Sequence, residues 1–180
     1  MHATGRGFTL VEALATVAIA SILLATAVPA ASDALARTRA SAARAALLSS
    51  LTIAIGHASV TGAEVVLCPG DPAGCHDTMD WSAGWIAFAD LDGDRSRTPT
   101  ETLVHRAGAL HGSVRLRSTT GRRRLVVQPN GGNAGSNVTF TLCDRRGPDE
   151  AVTLVLANNG RLRAGEPTRK AASACTDALP

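Results

Sequence analysis

The sequence lacks the short motifs by which the common enzyme classes are identified. It contains no G-x-S-x-G, no H-E-x-x-H and no G-x-G-x-x-G, and with Lys170 as its only lysine it has no Walker A sequence. The five histidines are scattered along the chain, so each is expected at the surface rather than in a set of ligands. These absences predict a protein that is not an enzyme and that uses no cofactor.

Aromatic residues are also scarce: there are three phenylalanines, two tryptophans and no tyrosine. Proteins that bind single-stranded nucleic acid usually stack bases on exposed aromatic rings, and this chain has few to offer. A sugar-binding adhesin is disfavoured as well, because no aromatic-lined sugar site is evident. Three of the rings, Trp81, Trp85 and Phe88, fall in a predicted strand, where we interpret them as core residues.

Charged residues are almost absent near the N-terminus. From Phe8 to Ser32 there is no lysine or arginine, and Glu12 is the only charged side chain. An apolar run of this length can span a bilayer as a helix. Because Arg6 is the fixed positive charge ahead of the run, it is expected in the cytoplasm, with the rest of the chain outside. A carboxylate inside such a run is costly in hydrocarbon and therefore needs a partner or a function.

The residues Gly7-Phe8-Thr9-Leu10-Val11-Glu12, followed by the apolar run, resemble the class III signal of type IV pilins and pseudopilins. The resemblance implies that a prepilin peptidase cleaves between Gly7 and Phe8 and methylates the new N-terminus at Phe8. It also implies that Glu12 neutralises the N-terminal amine of a neighbouring subunit in the filament, and that Pro29 is the family's helix-bending proline. An ordinary secretory signal peptide and a membrane anchor that never assembles are the alternatives, and Glu12 disfavours the first.

This interpretation divides the chain into a cleaved leader at 1–7, a transmembrane helix at 8–31, an amphipathic continuation of that helix at 32–58 and a β-rich domain at 59–180. We expect a single-pass protein of the inner membrane whose C-terminal domain is periplasmic, and which reaches the pilus or cell surface after assembly. The implied partners are other pilins or pseudopilins and the prepilin peptidase.

Two periodicities describe the chain beyond the membrane segment. Leu47, Leu51 and Ile55 recur every four residues, which predicts an apolar helical stripe that packs on a domain. Farther along, short apolar segments alternate with glycine-rich or polar turns, which indicates antiparallel sheets. The predicted strands are 64–67, 81–90, 101–106, 113–117, 123–128, 137–142 and 151–157. The segment Cys68–Cys75 holds four proline and glycine residues and is predicted as a loop.

Four cysteines follow the membrane segment, which is the number expected for two disulfides in an oxidising compartment. Three pairings are possible. We favour Cys68–Cys75 and Cys143–Cys175, because each pair closes a polar segment rich in turns. A zinc site built from Cys68, Cys75, His76 and one more ligand is the alternative, although the spacing is not C-x-x-C.

A second resemblance covers nearly the whole chain apart from its loops. The segments that carry it are Trp81 with Gly84-Trp85-Ile86-Ala87-Phe88-Ala89-Asp90, then Glu101-Thr102-Leu103, Phe140-Thr141-Leu142-Cys143-Asp144 and Gly160-Arg161-Leu162-Arg163. Together they are similar to the FimT/GspH-type pseudopilins. The resemblance implies an α+β fold, in which a long N-terminal helix packs on an antiparallel, β-sandwich-like domain.

Positive charge is concentrated in the C-terminal part of the chain. Residues 45–101 carry two arginines against eight acidic residues, whereas residues 102–180 carry eleven arginines and one lysine against five. The net charges of −6 and +7 suggest a polar surface with a partner at one end. Asn158-Asn159-Gly160 is a strong turn signal, after which Arg161 and Arg163 should share one face of a short strand, about 7 Å apart.

Two guanidinium groups at this spacing suit adjacent phosphates of a nucleic acid. FimT-like minor pilins are associated with DNA capture in natural transformation through a glycine–arginine motif, and Gly160, Arg161 and Arg163 match that motif. Contact with the backbone of double-stranded DNA, independent of its sequence, is therefore the leading hypothesis. The alternatives are a minor pseudopilin of a type II secretion system, an assembly-priming subunit that binds no DNA, and a basic face that is simply solvated. The residues expected to support the motif by charge are Arg145, Arg146, Arg169 and Lys170.

Asp90, Asp92, Asp94 and Glu101 have the spacing of ligands in a calcium loop. The glycine is misplaced, however, because Gly93 holds the fourth position and Arg95 the sixth. We therefore expect an acidic turn between strands and no metal.

Overall fold

The computed structural model describes residues 9–179 and contains two compact units, residues 1–35 and 36–180. Helix α1, Leu10–Thr61, includes residues of both units, with Glu12 in its first turn and Pro29 in its interior. In the first unit the large apolar side chains are exposed, and an 18-residue window with a mean hydropathy of 2.1 is long and apolar enough to cross a membrane. The predicted cleavage and methylation residues, Gly7 and Phe8, lie outside the described residues.

In the second unit α1 is amphipathic, as its sequence predicts. Leu47 and Leu51 are buried and Ile55 is half-buried, with small residues completing the stripe on either side. The helix ends at Thr61, slightly beyond the predicted end, where Gly62 adopts a left-handed φ of 74° and its N–H donates to the Ala58 carbonyl oxygen over 2.9 Å.

The strands form two antiparallel sheets. The first sheet has five strands, four of them in the order β2-β1-β3-β4. The fifth, β6, also pairs with β1. Its strands are β1 Glu64–Asp71, β2 Gly74–Cys75, β3 Trp85–Asp90, β4 Leu103–Ala107 and β6 Leu125–Val127.

The second sheet has the order β5-β7-β8-β9. It is followed by a short C-terminal helix that was not among the predicted elements. The strands are β5 Val114–Ser118, β7 Val138–Asp144, β8 Val152–Leu156 and β9 Leu162–Gly165, with a 3₁₀ turn at Pro148–Glu150 and helix α2 at Arg169–Thr176. The long helix on antiparallel sheets confirms the predicted α+β class.

The loop prediction for Cys68–Cys75 was partly wrong. β1 continues through Pro69 to Asp71, because residues Cys68 and Pro69 pair with Ile86 and Trp85 of β3. Pairing with a distant strand outweighs the local preference of proline and glycine for turns.

The core lies between α1 and the two sheets. Trp81, Trp85 and Phe140 are fully buried in it, with ring centroids 6.2 Å apart for the first two and 5.1 Å apart for Trp81 and Phe140. Trp85 Nε1 donates to Ser50 Oγ of α1 over 2.9 Å, so the helix supplies a polar partner to a buried ring. The predicted core role of the tryptophans is confirmed, and Phe88 is equally buried on the opposite face of the first sheet.

The structure contains the two disulfides favoured by the sequence, Cys68–Cys75 and Cys143–Cys175. Both thiols of the alternative zinc site are therefore consumed, and His76 Nε2 lies 3.3 Å from Asp71 Oδ2. The first disulfide closes the β1–β2 hairpin, and the second joins β7 to α2.

Candidate nucleic-acid interface

The turn between β8 and β9 is held by backbone hydrogen bonds on both sides. Within it, the Gly160 N–H donates to the Ala157 carbonyl over 3.0 Å, and the Ala157 N–H donates to the Arg161 carbonyl over 2.9 Å. From the neighbouring loop, the Asn133 N–H donates to the Asn158 carbonyl over 2.7 Å. The chain thus reverses at the predicted residues, and the backbone that carries Arg161 is anchored.

Gly160 cannot be replaced without a clash. Its φ is 76°, and a Cβ at this position would lie 2.3 Å from the carbonyl oxygen of Gly131. We expect Gly160→Ala to lower the free energy of unfolding by about 2 kcal/mol or more, since left-handed backbone and steric overlap act together. Urea unfolding of the full chain in neutral detergent would measure this. The control is Gly112→Ala, where a Cβ meets nothing within 4 Å. An equal loss in both variants would contradict the prediction.

Arg161 and Arg163 are both exposed, while Leu162 between them packs against the core. Arg163 lies opposite Val155 of β8, on the outer face of the second sheet. The alternation of side chains along a strand places Arg161 on the same face, about 7 Å away. The exposure of both side chains is compatible with the predicted pair of guanidinium groups, whose common face is inferred from strand geometry.

Helix α2 carries the next two cations, Arg169 and Lys170, in its first turn. Thr168 caps this end, since its side-chain oxygen accepts from the Ala171 N–H over 3.3 Å. No acidic residue occupies the first turn of α2, and cations at the positive end of a helix dipole do not stabilise the helix. Their placement has to be explained by something other than helix stability.

A groove separates α2 from the outer face of the second sheet. Its volume is about 570 Å³, and its lining includes Arg117 of β5, Lys170 of α2 and Val155, the neighbour of Arg163. Several threonine hydroxyl groups line it, and Glu166 is its one acidic lining residue. The threonines are Thr119, Thr120, Thr139, Thr141, Thr153 and Thr168.

The position of α2 depends on two contacts that join distant parts of the sequence. The Cys143–Cys175 disulfide ties its last turn to β7, and Cys175 is almost fully buried. Arg117 Nη1 donates to the Ala174 carbonyl oxygen over 3.0 Å, at the helix end where cations are favourable. Arg117 was not among the predicted site residues, and the alternation of Arg115 and Arg117 along β5 is the sequence signal that marks it.

The predicted pair Arg145 and Arg146 is divided by the structure. Arg145 is exposed and follows the end of β7, six residues beyond Thr139. Thr139 pairs with Val155 of β8, which in turn pairs with Arg163 of β9. Six residues of strand correspond to about 20 Å, so Arg145 lies well away from the β8–β9 turn.

Arg146 does not belong to the exposed basic surface. Its guanidinium group lies 2.7 Å from Asp144 Oδ2 and 2.7 Å from Glu150 Oε2, and only 12% of its side chain is exposed. The prediction that Arg146 contacts DNA is therefore replaced by a structural role, in which it neutralises a buried carboxylate.

This ion pair predicts a pH-dependent stability. Burial raises the pKa of Asp144, but hydrogen bonds from Arg146 outweigh burial and hold the pKa of that carboxyl below its ordinary value. Because the folded state lowers this pKa, the ionised carboxylate stabilises the fold at pH values above its pKa in the unfolded chain. That stabilisation is lost as the pH falls through its pKa in the folded protein. We expect Asp144→Asn to cost about 2 kcal/mol at neutral pH, with the difference from wild type shrinking below about pH 4.

Urea unfolding over a pH series would check this expectation. The control is Asp149→Asn, which removes an exposed carboxylate nearby and should change stability little at any pH. A cost for Asp144→Asn that stays constant down to acidic pH would exclude the ion pair as its source.

The basic cluster at 122–124 is also engaged locally. Arg122 bonds to Ser136, Arg123 Nη1 lies 2.6 Å from Asp77 Oδ1, and Arg124 Nη1 donates to the Arg95 carbonyl over 2.9 Å. These three side chains stabilise neighbouring loops rather than extend the basic surface.

The surface offers no ring for base stacking within the described part of the chain. All four aromatic residues between 9 and 179 are fully buried. A nucleic acid could therefore be bound there through its phosphates, by cations and hydroxyl groups, but not by stacked bases.

Comparison with known proteins places the chain in a family. The family model for type II transport protein GspH matches residues 43–160, and the model for the prokaryotic N-terminal methylation motif matches residues 4–28. No curated protein sequence matches significantly. The GspH match ends at Gly160, so the cations of β9 and α2 lie beyond it.

Solved structures of two minor subunits have a similar fold. The type IV minor pilin FimU of Pseudomonas aeruginosa PAO1 matches in two crystal forms. In one form FimU is 15% identical, the match covers 72% of this chain and 91% of FimU, and the TM-score is 0.53. In the other form FimU is 13% identical, the match covers 77% of this chain and 92% of FimU, and the TM-score is 0.55. The minor pseudopilin EpsH of the Vibrio cholerae type 2 secretion system has 14% identity, 72% of this chain and 98% of EpsH covered, and a TM-score of 0.50.

At these identities the likeness shows the fold alone, whereas the GspH model covers 118 of the 180 residues. The methylation motif implies processing by a prepilin peptidase and fits a subunit anchored in the inner membrane before assembly with other pilins. The chain belongs to the family of the type II transport protein GspH and, with its N-terminal methylation motif, is a type IV pilin or pseudopilin, a structural subunit.

Proposed function

We propose that this minor pilin binds double-stranded DNA, independently of sequence, during natural transformation. The binding surface consists of Arg161 at the β8–β9 turn, Arg163 on β9, and Arg169 and Lys170 on α2, and it is called the basic surface below. Arg145 contributes only to a duplex long enough to reach the far end of β7.

The observation that carries the proposal is the availability of these four cations. Each is exposed, and within residues 9–179 none forms an ion pair or a side-chain hydrogen bond. By contrast, Arg115, Arg123 and Arg146 are paired with carboxylates. Arg44 and Arg106 are exposed too, but they are isolated, whereas these four lie within ten residues of sequence and form a local excess of positive charge that attracts an anionic partner.

The N-terminal end of α2 adds backbone donors to the same surface. The first N–H groups of a helix have no partner within it and favour anions. Between residues 161 and 170, Glu166 is the only acidic residue against four cations. Phosphates of a duplex fit this combination, because guanidinium groups bind phosphate oxygens in pairs and the N–H groups add further hydrogen bonds.

The N-terminal part of the proposal concerns processing and assembly. We propose cleavage between Gly7 and Phe8, methylation of Phe8, and pairing of Glu12 with the amine of a neighbouring subunit. A membrane span at 8–31 then leaves the β-rich domain in the periplasm, where its disulfides can form. The methylation-motif match and the exposed apolar helix support this arrangement.

Fluorescence anisotropy with the full chain in neutral detergent tests the DNA-binding function. Two labelled duplexes of unrelated sequence would be titrated at several salt concentrations. We expect equal affinities for the two duplexes and a slope of log K against log salt of about −3.6, since four phosphate contacts contribute about −0.9 each.

Two results would reject the proposal. No binding at low salt would leave a structural subunit of a secretion or pilus machine that does not contact DNA. Much tighter binding to one of the two duplexes would mean that base edges are read, for which this surface has no evident basis.

A further inference from the structure

The loop between β3 and β4 brings three carboxylates together. Asp90 is the last residue of β3, and Asp92 and Asp94 follow at alternate positions. One possible ligand oxygen from each of them lies within 4.8 Å of the others. Within the described chain none of the three forms an ion pair.

Asp90 is the residue that points to a ligand. It is only 5% exposed, and although its Oδ1 accepts from the Gly93 N–H over 3.0 Å, its Oδ2 is buried without a hydrogen-bond partner. An ionised carboxylate in this position is costly unless a cation compensates it.

Glu101 orders the loop instead of serving as its twelfth-position ligand. It is buried, and its Oε1 and Oε2 accept from the N–H groups of Leu91 over 3.1 Å and Thr98 over 2.7 Å. The ends of the loop are thereby fixed. Asp92 and Asp94 each use Oδ1 to accept a backbone N–H within the loop, which leaves the second oxygen of each carboxylate available.

The misplaced glycine is not an obstacle to a cation-binding loop. Arg95, at the sixth position, has a φ of 60°, the left-handed conformation that glycine supplies at this point of a calcium loop. It is the only residue other than glycine with a positive φ among residues 9–179.

We propose that Asp90, Asp92 and Asp94 bind a calcium ion. Hard carboxylate oxygens at alternate loop positions suit Ca²⁺, whereas Mg²⁺ retains its own water and rarely occupies such loops alone. Because only three side chains contribute, the affinity should match that of extracellular calcium modules, with a dissociation constant on the order of 10⁻⁴ to 10⁻³ M. The ion would stabilise the conformation of the loop between β3 and β4. The calcium proposal does not depend on the DNA-binding proposal.

Calorimetric titration and thermal unfolding of the metal-stripped full chain in neutral detergent test the site. We expect saturable calcium binding and a rise in Tm of roughly 5 °C at about 10 mM CaCl₂, relative to NaCl of equal ionic strength. Asp92→Asn/Asp94→Asn should abolish both responses, and since both side chains are exposed the fold should persist. The matched control Asp149→Asn should respond like the wild type.

The absence of a calcium heat signal from the wild type would overturn the proposal without reference to any variant. So would a Tm rise that NaCl reproduces, or a double variant that responds as strongly as the wild type. Circular dichroism without calcium would establish that each variant is folded before it is titrated.

Discussion

Replacing Arg161 and Arg163 with alanine should reduce the affinity of the full chain for duplex DNA by at least tenfold at low salt. Each guanidinium group that is deleted from the interface eliminates one contact with a DNA phosphate. The counterion of that phosphate is then no longer released on binding. The slope of log K against log salt should therefore become shallower by about 1.8, at about 0.9 per contact. Both side chains are exposed and make no contact that the fold requires, so Tm should change little.

The control for this experiment is a variant with the same change in net charge. Arg44 of α1 and Arg106 of β4 are exposed and distant in sequence from the basic surface. Arg44→Ala/Arg106→Ala should bind DNA nearly as well as the wild type. Equal losses in the two double variants would show that affinity follows net charge, and the assignment of the site to the β8–β9 turn would then be wrong.

Removing the Cys143–Cys175 disulfide should have the largest effect on stability. The bridge spans 32 residues of sequence, and loop-closure entropy for that length corresponds to about 3.5 kcal/mol. We expect Cys143→Ala/Cys175→Ala to lower Tm by roughly 10 °C. An isolated helix as short as α2 is not stable in water. Without the bridge it keeps the hydrogen bond from Arg117 to Ala174 and the packing of Ala172 beside Ala151.

The same variant should also weaken DNA binding, by about threefold to tenfold, because Arg169 and Lys170 would no longer be held in the basic surface. The other disulfide provides the control. Cys68→Ala/Cys75→Ala opens a bridge with a sequence separation of seven, should cost about 2.5 kcal/mol, and should leave DNA affinity unchanged.

Comparing the two disulfide variants separates stability from function. Both measurements would be made well below the lower of the two Tm values, so that each variant is folded. If loss of Cys143–Cys175 leaves the affinity intact, α2 makes no contribution and the site reduces to β9. If both variants lose affinity equally, the loss reflects general destabilisation.

Local sequence was sufficient for those features whose determinants are adjacent in the chain. The apolar run with its single carboxylate, Glu12, predicted the exposed membrane-length helix. Asn158-Asn159-Gly160 predicted the reversal between β8 and β9, because a turn is decided by the few residues within it. The inward position of Leu162 followed from the alternation of side chains along a strand, the same rule by which Arg161 and Arg163 are expected to share a face.

The structure was needed wherever a residue's role depends on partners far along the chain. Arg145 and Arg146 are equivalent by composition, but Arg146 is paired with buried Asp144 and Arg145 is exposed. Helix α2 has eight residues and little intrinsic stability, and it exists beside β7 through a disulfide that spans 32 residues.

The acidic loop shows the same division. Its spacing was visible in the sequence, whereas the buried, unpartnered oxygen of Asp90 and the left-handed Arg95 were not. The amino-acid sequence by itself thus determined the apolar helix of membrane-spanning length, the β8–β9 turn and the inward position of Leu162 between two exposed arginines. Tertiary structure decided which cations are neutralised and which carboxylate lacks a partner, because burial and pairing are set by packing between elements distant in the chain.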